Sequence, residues 1–485
     1  MRVHAAVTFI RYHAFIFSLA DMASLGLSID PGKVISPLFT RPARIISVVA
    51  GVWAGAWGTY YLLRELKRCT TLAKRRRKYP LPKRHGDESQ WFGHVTSEER
   101  KNIVSHFSSM KFCGRYLNVT PEWREQGIWE WMWWKLVDSV LWNKVFGFDG
   151  GLSHDLKDPK GRAHLEAVLP VHPLDTKQLW GTSRDTSTPS NLDKPAAFES
   201  GASYTWLGQS TCLVQMHGVT ILTDPVFGDQ PIPSIFSPNR MRPMPCTIHD
   251  LVDLGTIDIV LVSHNHFDHL DLSIVPKLSE HVQWIVPTGV GYLLEQRGVA
   301  PTHISELGWW DETVWQHTVH VRTATSTTRE AKRRLDVAAV PASHWSARSL
   351  WDVNRSLWNS YVVRCGARGR RTISLFFCGD SGYSPSLFSA IGRMYGPFDV
   401  AAIPIGSYEP RWHLSLQHMD PHGAVCVAKD IGARSSFGMH WGTWCMSDER
   451  WDAPLHDLAT ALQAEGKSSK FLRTVAMGAT HVLSV

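Results

Sequence analysis

Cysteine is scarce in this chain. Its eight copies lie far apart, at 69, 113, 212, 246, 365, 378, 426 and 445, with no C-x-x-C pair. A long chain without closely spaced cysteines does not read as a disulfide-stapled secreted scaffold, so free thiols in a reducing compartment are expected. Charged residues make up 20% against 44% hydrophobic, which excludes a disordered chain, and 485 residues suffice for one large domain or two moderate ones. Positive charge is also missing where a nucleic-acid binder would need it. The net charge is +7, but residues 64–84 hold ten Lys/Arg against one Glu and residues 1–44 hold five against two Asp, which leaves −5 for residues 85–485. Phosphate backbones call for a basic face on the domain that binds them, so no nucleic-acid partner is expected.

One segment lacks charge altogether. Residues 45–63, IISVVAGVWAGAWGTYYLL, lie between Arg44 and Arg64. About 20 apolar residues cross a bilayer as a helix, so a transmembrane helix is predicted here; a buried core helix and a signal-anchor are the competing readings. Trp53, Trp57, Tyr60 and Tyr61 suit an interfacial belt, and the Gly51-x-x-x-Gly55 spacing would let a second copy approach, which admits a homodimer. The KRRRK cluster at 74–78 places the C-terminal bulk on the cytoplasmic or matrix side and suits a grip on anionic lipid. Residues 1–20 contain Arg2 and Arg11 but no acidic residue, a pattern similar to a mitochondrial transit segment. The expectation is a membrane-anchored protein, with the mitochondrial inner membrane as the named location.

Tryptophan, by contrast, is abundant at 22 copies. The domain plan runs from a leader at 1–44 and the span at 45–63 to a basic juxtamembrane segment and linker at 64–122. A Trp-rich helix and loop packed on the main domain follows at 123–200, and the main domain itself occupies 201–485. Trp123, Trp129, Trp131, Trp133, Trp134 and Trp142 give the Trp-rich stretch a second reading as a membrane-facing patch. Residues 150–200 read as loop. From Ser203 onward, apolar strands are predicted at 203–216, 219–223, 257–263, 282–287, 337–341, 373–378, 399–404 and 435–439. The pair His217-Gly218 marks a hairpin. Helices are expected at 272–280, 385–395 and 421–431, the last opened by Asp420-Pro421. This alternation suggests a layered α/β domain with sheets inside and helices outside.

The chemistry concentrates after the strand IDIVLV. Ser263-His264-Asn265-His266-Phe267-Asp268-His269 holds three imidazoles and a carboxylate within six positions. In extended backbone, alternate side chains share a side, so His264, His266 and Asp268 face one pocket, and His269 joins if the chain turns. Imidazole and carboxylate are the donors that hold zinc, with iron and manganese also accepted. A run of this H-x-H-x-D-H form resembles that of the metallo-β-lactamase superfamily, which implies further ligands downstream; His344, Asp380 and His440 are the candidates, each after a predicted strand at the end where open sheets place their sites. Asp224, in Thr-Asp-Pro after a strand, resembles a superfamily residue that braces the site from behind, with a turn or cap residue as the equal alternative.

The run resembles the H-x-H-x-D-H signature of the metallo-β-lactamase superfamily. That resemblance implies an αββα sandwich and two zinc ions: His264, His266 and His344 on one, Asp268, His269 and His440 on the other, Asp380 between them, and hydroxide generated there as the attacking group. Asp268 and Asp380 would be the catalytic carboxylates. A closer resemblance rests on Trp206-Leu-Gly, Leu222-Thr-Asp-Pro, Cys246-Thr-Ile, SHNHFDHLD, Trp309-Trp310, His344-Trp345, GDSGY, the long block GPFDVAAIPIGSYEPRW at 396–412, Gln417-His418-Met-Asp-Pro and HWGT. Together these are similar to the N-acylphosphatidylethanolamine-hydrolysing phospholipase D family over about residues 200–485, and Asn118-Val-Thr-Pro-Glu-Trp extends the likeness upstream. The family implies a membrane phospholipid substrate, cut to phosphatidic acid and an N-acylethanolamine, with Gln417 and His418 on the substrate side; the plain alternative for that pair is a loop before a helix. Phe267 departs from the Tyr of animal members, and residues 324–334 look like an added surface loop. Other hydrolases on the same site, for lactones, phosphonates or other phosphodiesters, and a non-catalytic membrane scaffold are the competing functions.

Overall fold

The structure, a computed structural model, describes residues 41–83, 91–139, 150–175, 179, 201–232, 237–254, 257–278, 280–322, 328–367, 369 and 371–483. The leader at 1–40 lies outside the described residues. The chain divides into two compact units, Met1–Arg64 and Glu65–Val485. A single helix, α1, runs over Arg41–Lys78 and ends on Arg75, Arg76, Arg77 and Lys78, where cations suit the negative end of the helix dipole.

Within the first unit, Trp53, Trp57, Tyr60 and Tyr61 form a ladder of rings with centroids 5.5–5.9 Å apart. Residues 45–63 are helical as expected, but the membrane-spanning reading is not upheld. Among the described residues no helix is long and apolar enough to cross a membrane. Gly51, Gly55 and Gly58 add no side chain, and Thr59, Tyr60 and Tyr61 carry hydroxyls, which thins the aliphatic content of the run.

The second unit is built on two seven-stranded sheets. The strands of the first are β1 (Ala202–Gly208), β2 (Thr211–Met216), β3 (Val219–Thr223), β4 (Ile259–Leu261), β5 (Gln283–Pro287) and β6 (Ile304–Leu307). The second comprises β7 (Glu312–Arg322), β8 (Thr328–Pro341), β9 (Asn359–Ala367), β10 (Ile373–Phe377), β11 (Val400–Pro404), β12 (Ser436–Met439) and β13 (Leu472–Arg473). The last strand, β14 (Thr480–Leu483), returns to the first sheet beside β1. Pairing is antiparallel from β14 to β3 and parallel from β3 to β6. The second sheet repeats the plan, antiparallel from β7 to β10 and parallel from β10 to β13.

Period-two side-chain alternation explains why the sheets stack. Ile221, Ile259 and Leu261 point into the core shared with Val337, Leu375 and Phe437 of the second sheet. Their neighbours Leu222, Val260 and Val262 point the other way, into a cluster with Leu251 and Leu294. Each such fully buried aliphatic side chain contributes about 1.5–3 kcal/mol relative to exposure. On the outer face of the second sheet lie α4 (Pro385–Tyr395), α6 (Pro421–Asp430) and α7 (Ala453–Ala464), whose Leu387, Val425 and Leu458 join the main core. Helices outside two sheets give the αββα order expected from the sequence. The remaining labelled helices are α2 (Ser97–His106), α3 (Ile128–Trp133) and α5 (Arg411–Leu414).

Several sequence expectations change. From Glu65 on, the expected linker at 64–122 falls in the second unit: Leu72, Ile103, Phe107, Leu117 and Val119 are buried in its core, and Arg75 of the basic cluster donates to the Ser108 carbonyl at 2.5 Å. Residues 272–278 form turns, a bend and a short 3-10 helix at Val275–Lys277, since Pro276 in the interior of a longer helix would lack its amide hydrogen bond and clash with the preceding turn. The loop at 150–200 contains a helix at Pro159–Val168 capped by the Asp158 carboxylate. Of the expected loop at 324–334, residues 324–327 lie outside the described residues; residues 328–334 are not loop but the start of β8, paired with β7 throughout and with β9 from Arg333. In the Trp-rich stretch Trp123 and Trp134 are buried, but Trp129, Trp131, Trp133 and Leu136 are exposed.

Candidate metal centre

The parallel strands end along one rim, and every proposed ligand sits just past a strand end. After β4 the chain runs through Ser263–His269 and turns: the His269 and Leu270 amides donate to the His266 carbonyl at 3.2 and 3.0 Å. That turn brings His269 to the same side as His264. His344 follows β8, Asp380 follows β10 and His440 follows β12.

Three imidazoles form the first group. His264 Nε2 lies 2.8 Å and His344 Nε2 lies 3.3 Å from Nδ1 of His266. The outer hydrogen bonds fix which nitrogens carry hydrogen. His344 Nδ1 is 3.0 Å from the Gln417 carbonyl, which only accepts, so Nδ1 holds the proton and Nε2 presents a lone pair. Ser263 Oγ donates to Asp224 Oδ2 at 2.5 Å and can therefore accept from His264 Nδ1 at 2.9 Å, which again leaves Nε2 bare. Burial holds His266 and His344 down to about 3, although Asp268 and Asp380 pull the other way. Three neutral rings thus aim lone pairs at one point.

Two carboxylates and two more imidazoles form the second group. Asp380 Oδ2 lies 3.1 Å from His269 Nε2 and 3.1 Å from His440 Nε2. Asp268 Oδ2 lies 3.3 and 3.4 Å from the same nitrogens. Asp380 Oδ2 is also 4.0 Å from His264 Nε2 and 3.7 Å from His344 Nε2, so one oxygen stands between the two groups. Burial disfavours charge here, yet the Asp380 and Asp268 carboxylates raise His440 to about 9 and hold His269 well above the usual range. Reciprocally, burial pushes Asp268 and Asp380 up, but the neighbouring imidazoles win and hold both well below the carboxylate range.

The arrangement fits cations better than hydrogen bonds. Nε2 of His269, Nε2 of His440 and Oδ1 of Asp380 are buried without a hydrogen-bond partner. The close approaches within the second group are misdirected as hydrogen bonds, but donors that converge on a common ion face one another in this way. The two groups of donor atoms, His264/His266/His344 and Asp268/His269/Asp380/His440, are each compact enough for one ion.

Supports surround the donors. Asp224, fully buried, accepts from the Ser263 amide at 2.6 Å and pairs with His269 Nδ1 at 2.6 Å, which puts its carboxylate behind the donor group. His418 reaches the centre, with Nδ1 3.8 Å from Asp380 Oδ2 and without a hydrogen bond. Gln417 enters through its main-chain carbonyl, as the partner of His344. Phe267 lies under the Arg348 guanidinium at 4.1 Å, and Arg348 Nη1 holds the Asn265 and Leu270 carbonyls at 3.1 and 2.9 Å.

Sequence reading missed Gln209. Its side chain donates to Asp268 Oδ2 at 2.8 Å, and its carbonyl accepts from the His440 amide at 2.9 Å. Trp206 stacks on Trp441 at 5.6 Å and so ties the β1–β2 turn to the loop of His440. Gln209, Asp224 and His440 all have positive φ, at 47°, 35° and 60°, conformations that cost energy in non-glycine residues and cluster at functional sites. The one available hint was the Gly-Gln-Ser-Thr turn between two strands.

The Beta-lactamase superfamily domain matches residues 219–441. N-acyl-phosphatidylethanolamine-hydrolyzing phospholipase D 1 of Caenorhabditis elegans is 35% identical over 330 residues, 66% of this chain and 82% of that one. The mitochondrial N-acyl-phosphatidylethanolamine-hydrolyzing phospholipase D of Saccharomyces cerevisiae is 31% identical over 389 residues, 74% of this chain and 75% of that one. Among solved structures, a metallo hydrolase from the archaeon Ignicoccus hospitalis aligns over 59% of this chain and 100% of its own at 18% identity, with a TM-score of 0.40. The fold and the His/Asp centre are those of a metal-dependent hydrolase of the metallo-β-lactamase superfamily. Within it, the chain belongs to the N-acylphosphatidylethanolamine-hydrolysing phospholipase D family.

Proposed function

We propose that this protein hydrolyses N-acylphosphatidylethanolamine to phosphatidic acid and an N-acylethanolamine at a dinuclear centre. The observation that carries the reading is Asp380 Oδ2, placed within 4.0 Å of donor nitrogens from both groups. His264, His266 and His344 would hold one cation, Asp268, His269 and His440 the other, and Asp380 would reach both. Two divalent ions, zinc by the donor set, would polarise the phosphate oxygens and acidify the attacking water.

The chain's own groups do the remaining work. Water oxygen bonds to phosphorus, the bond from phosphorus to the ethanolamide oxygen breaks, and the proton that the water gives up ends on the departing oxygen. Asp268, whose side chain is more exposed than that of Asp380 (14% against 2%), is placed to take the proton from water. His418 is neutral because burial outweighs the pull of Asp380, and it can donate a hydrogen bond to a phosphate oxygen. The names of the worm and yeast relatives support this substrate, and the yeast protein's mitochondrial designation supports the same location.

A lipid substrate requires a lipid-facing surface. Trp129, Trp131, Trp133 and Leu136 are exposed, as is Trp412, whose Nε1 donates to Asp138 at 3.1 Å. Gln126 donates to the His413 carbonyl at 2.5 Å, so this patch borders the segment that carries His418. Indole rings favour the lipid–water boundary, and we assign the patch to membrane contact.

Mass spectrometry of products from N-acylphosphatidylethanolamine in ¹⁸O-water tests the reading. Metal-loaded protein should release N-acylethanolamine and place the label in phosphatidic acid, and Asp380→Asn should be slower by about a thousandfold, roughly 4 kcal/mol of lost transition-state stabilisation. If loaded wild-type protein cleaves lactones or other phosphodiesters but not this lipid, the substrate assignment is wrong.

A further inference from the structure

A second cluster of metal-binding side chains stands apart from the centre, on the outer helices. His422 and Cys426 lie one turn apart on the same face of α6, and Glu465 caps the C-terminus of α7 beside them. We propose that His422, Cys426 and Glu465 form a separate site for a zinc-class transition-metal ion, which clamps α6 to the end of α7.

Geometry supports the assignment. Cys426 Sγ is 3.9 Å from His422 Nδ1, and His422 Nε2 is 3.2 Å from Glu465 Oε1. One donor atom from each residue falls within 4.8 Å of the others. Donors on a common tetrahedral zinc stand about 3.3–3.8 Å apart, given bonds of about 2.0–2.3 Å. A small rotation of the exposed imidazole therefore brings one nitrogen into line with the thiol and the carboxylate. Lys429 also contacts Glu465, but through Oε2, which leaves Oε1 turned toward His422.

Donor chemistry narrows the ion. A thiol with an imidazole and one carboxylate selects zinc, cobalt or iron over calcium and magnesium, which prefer oxygen alone. The cluster is only partly buried, so water can complete the coordination. In the ion-free protein, burial and the Glu465 and Asp430 carboxylates keep the Cys426 thiol above its ordinary range; a bound cation reverses that balance and stabilises the thiolate.

Position gives the site a consequence. The Asp420 carboxylate caps α6 by accepting from the Gly423 amide at 2.8 Å, and His418 lies two residues before that cap. At the other end, Asp430 accepts from Tyr383 at 2.7 Å, and Tyr383 belongs to the same loop as Asp380. An ion at the cluster would thus steady a helix tied to the catalytic rim at both ends.

Cobalt titration of the full-length protein separates this site from the main one. The catalytic centre offers only nitrogen and oxygen donors, so a thiolate-to-cobalt charge-transfer band in the near ultraviolet reports on a thiol outside it, and the Cys426→Ser variant tells whether that thiol is Cys426. Wild-type protein should show the band and bind one transition-metal ion beyond the catalytic complement. Cys426→Ser should lose both, and Glu465→Gln, which keeps the thiol, should weaken the band's cobalt dependence. Circular dichroism on each variant checks the fold, and phosphodiester hydrolysis should persist in all of them. Absence of the band from wild-type protein at saturating cobalt overturns the proposal. So does a band that survives in Cys426→Ser, because it places the ion on another thiol.

Discussion

Asp224 Oδ2 lies 2.6 Å from His269 Nδ1, and the same oxygen accepts the Ser263 hydroxyl at 2.5 Å. One buried carboxylate thereby sets the ring orientation of His269 directly and that of His264 through Ser263. Removing such an outer support typically costs about 10- to 100-fold in metal affinity. Asp224→Ala should lose affinity on that scale for both ions, because both rings are released. Competition against a chromophoric chelator measures it, and unchanged affinity would reduce Asp224 to a turn residue.

Metal loading should expel protons. With His440 raised to about 9 and His269 also held high, the metal-free protein carries both as imidazolium at neutral pH. His266 and His344, held near 3, are neutral there and release nothing. Affinity for the second cation should therefore climb with pH through the region near 9 where His440 loses its proton, and His269, also held high, adds to the rise. In the metal-free protein, raised His440 contributes stability that is present below the ordinary histidine range and lost as pH rises through about 9. Proton release on zinc addition in weak buffer, followed with an indicator dye, checks the first statement.

Gly379 holds the loop of Asp380 against the loop of the histidines. Its φ is +59°, and a Cβ there would meet Ser263 Cβ at 2.6 Å. Gly379→Ala should destabilise the fold by about 1–3 kcal/mol, from overpacking and the left-handed backbone, and should displace Asp380. Urea titration reads the first effect and metal stoichiometry the second.

Membrane contact through the exposed indoles predicts a split between substrates. The triple substitution Trp129→Ala, Trp131→Ala and Trp133→Ala should raise the apparent KM for vesicle-borne lipid by about tenfold or more, and leave turnover of detergent-dispersed lipid unchanged. Equal loss on both substrates would place the Trp residues in folding instead.

Most of the centre was legible in the sequence because its donors follow short apolar strands in a fixed order. His264, His344, Asp380 and His440 each come within three residues of a strand that alternation or an apolar run reveals. The strands β7 and β9 were harder, since ETVWQHTVHVR and NSYVVRCGA mix polar and apolar residues and carry no ligand. Gln209 was invisible for a different reason: a lone amide in a turn gains meaning only from Asp268, which lies far along the chain. The uncharged run at 45–63 was read by length, but glycine and hydroxyl-bearing rings lower the apolarity that length implies.

The donors divide between the two sheets. His264, His266, Asp268 and His269 leave the first, while His344, Asp380 and His440 leave the second. Neither sheet alone supplies a complete donor group, since His344 must join two residues from across the seam and Asp268 must meet Asp380. A nascent or proteolysed chain with only one sheet folded would have no tight place to sequester metal, so cofactor acquisition would serve as an assembly checkpoint that only the finished sandwich passes.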